Sequence, residues 1–168
     1  WTAASPKRRS AGKKTGPSPV DRAKEGTKRS LITEGSGVPV GIAVGPANRN
    51  DFKLVEETFS GMPLIPPVCV KGLIVHLCLD KGYDYDEVRE LCEEFGFTAH
   101  IKARGEEAKL IKRKAGYKAR RWVVERTHSW MNRFRRILTR WEKKASNYLA
   151  LLHFSCAWIT YKCAGIFG

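Results

Sequence analysis

The 168-residue sequence has no Cys-x-x-Cys pair, no internal repeat and no apolar run long enough to cross a bilayer. Each absence closes a class of explanation. Cys69, Cys78, Cys92, Cys156 and Cys163 are odd in number and lie in apolar surroundings, which predicts reduced core thiols in a cytosolic protein and not a disulfide framework. His76 and Cys78 are spaced as a zinc-ligand pair, but no second pair has ligand spacing, which argues against a structural zinc site. The apolar stretch from Tyr148 to Ile159 is short for a span and is interrupted by His153, so it predicts a buried helix and no membrane partner. Nothing at the start has the form of a secretory signal.

What the chain does have is charge and core. A hydrophobic content of 42%, with five Trp and seven Phe, is enough for one folded domain. The net charge of +14 makes nucleic acid the first partner to consider. Its distribution says more than its sum. Residues 1–30 hold nine Lys/Arg against two acids, residues 31–110 eight against thirteen, and residues 111–144 thirteen against two. A protein that only coats nucleic acid has little need of an acidic centre, whereas a metal-dependent nuclease needs carboxylates inside a basic groove.

Residues 1–26 are rich in Lys, Arg, Ser, Gly and Pro, and the segment Gly16-Pro17-Ser18-Pro19 cannot lie within a helix, so a loose basic arm is expected there. From Thr27 the pattern changes. Thr27–Thr33 and Val38–Val44 are β-prone runs joined by Glu34-Gly35-Ser36-Gly37, which predicts an antiparallel hairpin. Asp51 is expected to cap a helix running to about Ser60. Leu73–Leu79 is almost continuously apolar and short, as a strand covered on both faces would be, and it ends at Asp80. Asp84 or Asp86 is expected to cap the next helix, which Gly96 stops, and Phe97–Ile101 reads as another strand. Lys102–Gly116 forms a basic connection. Beyond it Val123, Thr127, Trp130, Phe134, Ile137 and Trp141 recur at helical spacing and predict one long amphipathic helix, followed by an apolar helix over about Ser146–Cys163.

Two carboxylates stand out for chemistry. An Asp at the carboxyl end of a buried strand, as Asp80 is expected to be, calls for a partner. A divalent cation is one, and capping the following turn or pairing with Lys81 is the ordinary other. Glu125 falls almost opposite the apolar stripe of the long helix, with Arg121, Ser129, Asn132 and Arg136. Periodicity alone favours a solvated face on which Glu125 pairs with Arg121 or Ser129. Trp130 and Trp141 lie on the apolar stripe, where core packing outweighs base stacking.

The motifs themselves add to this. Leu79-Asp80-Lys81-Gly82-Tyr83-Asp84, then Arg121-Trp122-Val123-Val124-Glu125-Arg126-Thr127-His128-Ser129-Trp130 and Asn132-Arg133-Phe134-Arg135-Arg136, resemble the DDE transposases of bacterial insertion sequences. The upstream blocks Gly16–Arg22, Gly26-Thr27-Lys28-Arg29 and Ala47-Asn48-Arg49-Asn50-Asp51 agree in order. The resemblance implies an α/β fold with a mixed sheet, an RNase H-like core and long carboxy-terminal helices, with residues 27–168 as a partial catalytic domain. It implies that Asp80 is the second Asp and Glu125 the Glu of a triad binding two divalent ions, Mg2+ or its substitute Mn2+. These clamp the scissile phosphate for in-line displacement by water or a 3′-hydroxyl. Lys28, Arg29, Arg121, Arg126, Arg133 and Arg136 are then expected to neutralise phosphates. Tyr83 is expected to neighbour the site.

The family's first Asp lies on a strand before the Gly16–Pro19 block, and no acid precedes Asp21, which matches a different family position. That Asp is therefore expected upstream of Trp1, and this segment alone is expected to bind DNA and cleave it little. Arg121 fits the family's Tyr-x-x-Arg-x-x-x-Glu pattern, while Tyr117 is displaced by one. The resemblance further implies double-stranded DNA, both transposon ends and target, as partner, a homodimer for the full-length protein, and a cytoplasmic, nucleoid-associated location. A hydrolytic nuclease on the same fold and an inactive DNA-binding remnant are the competing readings.

Overall fold

The computed structural model describes residues 2–4, 14–19, 22–63, 74–102 and 121–165. Strands β1 (Thr2–Ala4), β2 (Gly16–Pro17), β3 (Glu25–Thr33) and β4 (Pro39–Pro46) lead into a 3-10 turn (Asp51–Leu54) and helix α1 (Val55–Ser60). Strand β5 (Val75–Asp80), a second 3-10 turn (Lys81–Tyr83), α2 (Asp86–Glu94) and β6 (Phe97–Lys102) follow, then α3 (Arg121–Asn132), α4 (Arg135–Leu138) and α5 (Ala145–Cys163).

The predicted hairpin forms. β3 and β4 pair antiparallel from Thr27↔Pro46 to Thr33↔Pro39, with an irregularity between Ile32 and Thr33. In the turn the Glu34 carboxylate accepts from the Ser36 and Val38 amides at 2.8 and 3.1 Å. Gly37 adopts φ +93°, a conformation that favours glycine. β5 and β6 pair parallel from Val75↔Phe97 to Asp80↔Lys102, with α2 as the crossover. Antiparallel and parallel pairing therefore coexist, and the fold is α/β as expected.

Successive residues of β3 face opposite ways, and helices lie against both faces. Ile32 joins Val55, Phe59, Leu77, Leu79, Tyr83, Val88, Cys92 and Phe97 in one core cluster, while its neighbour Leu31 joins Ile42, Val44, Val124, Met131, Ile137, Tyr148, Leu152 and Ile159 in the other. α1 and α2 thus close one side, and α3, α4 and α5 the other. Double coverage explains why β4 is buried nearly throughout.

Several expectations are corrected. The loose arm over residues 1–26 is, where described, tied to the sheet: β1 pairs with residues 29–31 of β3, and β2 with Glu25 and Gly26. The connection from β2 to β3 closes through Ser18 N–H to the Lys24 carbonyl at 2.8 Å. The one long helix is two, because the chain leaves helical geometry at Phe134 (φ −81°, ψ 96°). Trp141 is consequently 47% exposed and not core. β5 alternates, with Leu77 and Leu79 buried but His76 and Cys78 exposed, so its second face is not covered as predicted. Cys78 and Cys163 are exposed thiols, whereas burial pushes the Cys92 thiol up to about 11 and Cys156 up to about 12.

Neither Asp51 nor Asp84 nor Asp86 caps the helix predicted for it. Asn50 precedes the first 3-10 turn without a side-chain cap, and Asp51 instead pairs with Lys28 at 2.7 Å. Tyr85 occupies the N-cap of α2, while Asp84 pairs with Arg89 at 2.5 Å and Asp86 lies in the first turn, where its charge suits the helix dipole. Gly96, at φ +72°, ends α2 as predicted. Among the described residues no helix is long and apolar enough to cross a membrane. The Lys102–Gly116 connection and Tyr117 fall outside the described residues apart from Lys102.

Candidate active site

Asp80 is the last residue of β5, at the carboxyl end of the parallel pair. Its extended backbone (φ −75°, ψ 158°) hands the chain to the 3-10 turn, and its Oδ1 accepts from the Lys81 amide at 2.8 Å. The ordinary capping role is therefore present. Beneath it Tyr83 is buried, and burial raises its phenol well above the ordinary range, with the nearby Asp51 and Asp80 carboxylates adding to that. The Tyr83 ring thus links Asp80 to the first 3-10 turn. There Lys28 holds Asp51 and also donates to the Arg49 carbonyl at 2.9 Å.

Glu125 lies on the exposed face of α3 with Trp122 and Ser129. The opposite face anchors the helix. Val123, Val124 and Thr127 are buried, and the Thr127 hydroxyl donates to the Gly37 carbonyl at 2.7 Å, locking α3 against the β3–β4 turn. Arg126 donates to the Ser36 carbonyl in the same turn. A Cβ on Gly37 would lie 2.8 Å from Arg126 Nη2, the movable end of a flexible side chain, so it is the φ of +93° and not this contact that favours glycine in the turn.

As metal ligands, Asp80 and Glu125 are of the right kind. Mg2+ takes hard oxygen donors and is commonly held by one or two carboxylates with waters and substrate phosphates. The two are carried by different elements, β5 and α3. Among the described residues no group of three or more His, Cys, Asp or Glu is placed to hold a metal ion. His76 meets His100 of β6, Nδ1 to Nε2 at 2.8 Å.

The basic residues divide sharply. Arg133 is exposed just beyond α3, and Arg136 is exposed while pairing with Glu142 at 2.9 Å. Lys28 is engaged by Asp51, and Arg126 by Ser36 and two indoles. The Arg121 side chain is outside the described residues. Arg29 is a correction: at 2% exposure it faces the α5 core and cannot reach a phosphate. Burial lowers its pKa, and its Nη2 donates to the Ile137 carbonyl at 3.3 Å, while Nε and Nη1 have no hydrogen-bond partner among the described residues.

That arrangement is testable. In an Arg29→Met variant the Tyr148 hydroxyl still donates to the Ile137 carbonyl, at 3.1 Å, so no acceptor is orphaned when the buried charge goes. Stability is expected to rise by about 1 kcal/mol or more, read as a higher urea midpoint. A fall of similar size would show that the guanidinium holds the sheet to α4.

Sequence reasoning missed Trp122, which is 45% exposed beside Glu125, and Arg140, which is fully buried. A tryptophan off the apolar stripe was the available signal for the first. For the second there was none, because Lys14 and Thr27, which it reaches, lie more than a hundred residues away.

Residues 77–162 match a family model described as transposase DDE domain. Over 155 residues the chain is 34% identical to a Burkholderia cepacia protein named "Putative transposase for insertion sequence element IS402", covering 88% of this chain and 69% of that one. Over 134 residues it is 25% identical to a Brucella ovis protein named "Putative transposase for insertion sequence element IS6501", covering 79% and 96%. No solved structure matches the chain.

Proposed function

This chain belongs to the transposase DDE domain family of insertion sequences, and from that premise we propose that it cuts and joins DNA strands at insertion-sequence ends. Asp80 and Glu125 serve as two of the metal ligands. The observation that carries the reading is the position of the two acids within the family-matched segment: Asp80 where a parallel strand ends, Glu125 on the solvent face of a helix bolted to the sheet.

A divalent cation, Mg2+ or Mn2+, supplies Lewis-acid charge at the scissile phosphate when bound. The chain's own residues supply placement and charge. The Lys81 amide fixes the Asp80 carboxylate, and Thr127 and Arg126 fix the helix that carries Glu125. Arg133 and Arg136, exposed beyond α3, are set to meet backbone phosphates. Homodimerisation fits the apolar side of α5, where Phe154, Trp158 and Tyr161 are exposed. The deciding test is strand chemistry at terminal repeats flanking the reading frame. A transposase leaves 3′-hydroxyl ends joined to target DNA, a hydrolytic nuclease leaves them unjoined, and a DNA-binding remnant leaves the DNA intact.

Binding has its own signature. Duplex affinity is expected to fall linearly in log–log salt titrations, and Arg133→Ala to flatten that slope by about one unit for one lost phosphate contact. A slope unchanged by Arg133→Ala would remove Arg133 from the DNA interface.

A further inference from the structure

The β5–β6 pair carries nitrogen donors that the strand chemistry leaves unused. Along β5 the side chains of Leu77 and Leu79 enter the core, so His76 and Cys78 point the other way and are exposed. On β6 Thr98 and His100 share that exposed face. The register sets Thr98 opposite His76 and His100 opposite Cys78, which makes the two histidines diagonal neighbours on adjacent strands. Their rings converge. The ring centres are 4.8 Å apart with planes inclined at 53°, and His76 Nδ1 faces His100 Nε2 at 2.8 Å.

We propose that His76 and His100 form a two-histidine site for a divalent transition-metal ion of right-angle coordination, Ni2+ or Cu2+. The site is separate from the strand chemistry and stands or falls without it. Neutral imidazole nitrogen suits these ions. Without metal, one ring donates its N–H to the facing nitrogen of the other. On binding, that proton moves through water to the other nitrogen of the same ring, so both facing lone pairs go to the ion with no net loss of a proton. The separation selects the ion. Nitrogens at about 2.0 Å from a shared ion stand about 2.8 Å apart at a right angle and about 3.3 Å apart in a tetrahedron, so the observed pair fits square-planar or octahedral coordination and not tetrahedral zinc. Among the described residues no third His, Cys, Asp or Glu completes the set, so water takes the remaining positions. An ion held there ties β5 to β6 ahead of Asp80, the last residue of β5.

The test titrates the untagged chain with nickel chloride in a calorimeter. The wild type is expected to bind one Ni2+ in the micromolar range, more tightly than it binds Zn2+. His76→Ala and His100→Ala should each weaken that binding about tenfold or more, because losing even a residue that supports a ligand costs that much. Both side chains are exposed, so neither substitution opens the core. A melting curve supplies the second readout: saturating Ni2+ should raise the wild-type midpoint by about 5 °C and leave both variants where they are. No binding by the wild type, unchanged binding in either histidine variant, or tighter binding of Zn2+ than of Ni2+ overturns the proposal.

Discussion

An Arg140→Ala variant is expected to lose about 3–5 kcal/mol of stability, which for a chain of this size lowers the melting temperature by about 10 °C. Arg140 is fully buried and, among the described residues, donates to at least four acceptors. Nη1 donates to the Thr27 hydroxyl at 2.8 Å and to the Lys14 carbonyl at 3.3 Å, Nε to the Glu142 carbonyl at 3.1 Å, and Nη2 to the Lys143 carbonyl at 3.4 Å. Its guanidinium also lies over the Tyr148 ring, 5.5 Å from the centre. Truncation strips donors from the buried Thr27 hydroxyl and from three part-buried carbonyls and leaves a void beside the ring, and those penalties add. Arg140→Lys should recover little, since one ammonium cannot reproduce a planar fork. Arg133→Ala, at an exposed position, serves as the control and should stay within about 0.5 kcal/mol. An Arg140→Ala melting curve that overlays wild type would show that the four bonds are not made.

The same residue explains where sequence reasoning ended. Local pattern located the β3–β4 hairpin, the β5–α2–β6 unit and α5, because each is fixed by periodicity and turn residues within its own segment. It predicted a single helix through Phe134, and no proline or glycine interrupts that stretch. The interruption is tertiary. The Ile137 carbonyl receives both Arg29 and Tyr148, and Arg140 must turn inward to the start of β3, which a straight helix through residue 141 does not permit. The stripe Val123, Thr127 and Trp130 was legible; its predicted extension as one helix to Trp141 fails at Phe134.

The candidate site was legible in the same uneven way. The strand end drew attention to Asp80 but left capping as an equal reading, and periodicity alone favoured a solvated face for Glu125; their assignment as metal ligands came from the motif resemblance. The fate of each basic residue depended on parity and partners. Arg29 shares the face of Leu31 and is buried against α5, whereas Lys28 points to the other face and meets Asp51. A run of adjacent cations in a strand therefore cannot all serve one surface. Net charge forecast a polyanion partner without revealing which guanidinium groups are spent on the interior.

Substitution of either proposed metal ligand should have the largest functional effect of all. Under the proposed function, Asp80→Asn and Glu125→Gln are each expected to reduce strand cleavage about a thousandfold or more, equivalent to about 4 kcal/mol of barrier. The substitutions separate chemistry from folding. In Asp80→Asn the side-chain amide oxygen can still accept from the Lys81 amide that Asp80 Oδ1 now engages at 2.8 Å, so the turn into Tyr83 is kept while the negative charge is lost. Glu125 is exposed, so its amide variant removes no packing. Both proteins should therefore melt close to wild type and retain duplex binding while failing to cut. Cleavage that persists in Asp80→Asn would move the second ligand elsewhere, and Asp51, which shares Tyr83 as a neighbour, would be the next carboxylate to change. Loss of cutting together with loss of the fold would instead return Asp80 to its capping role alone.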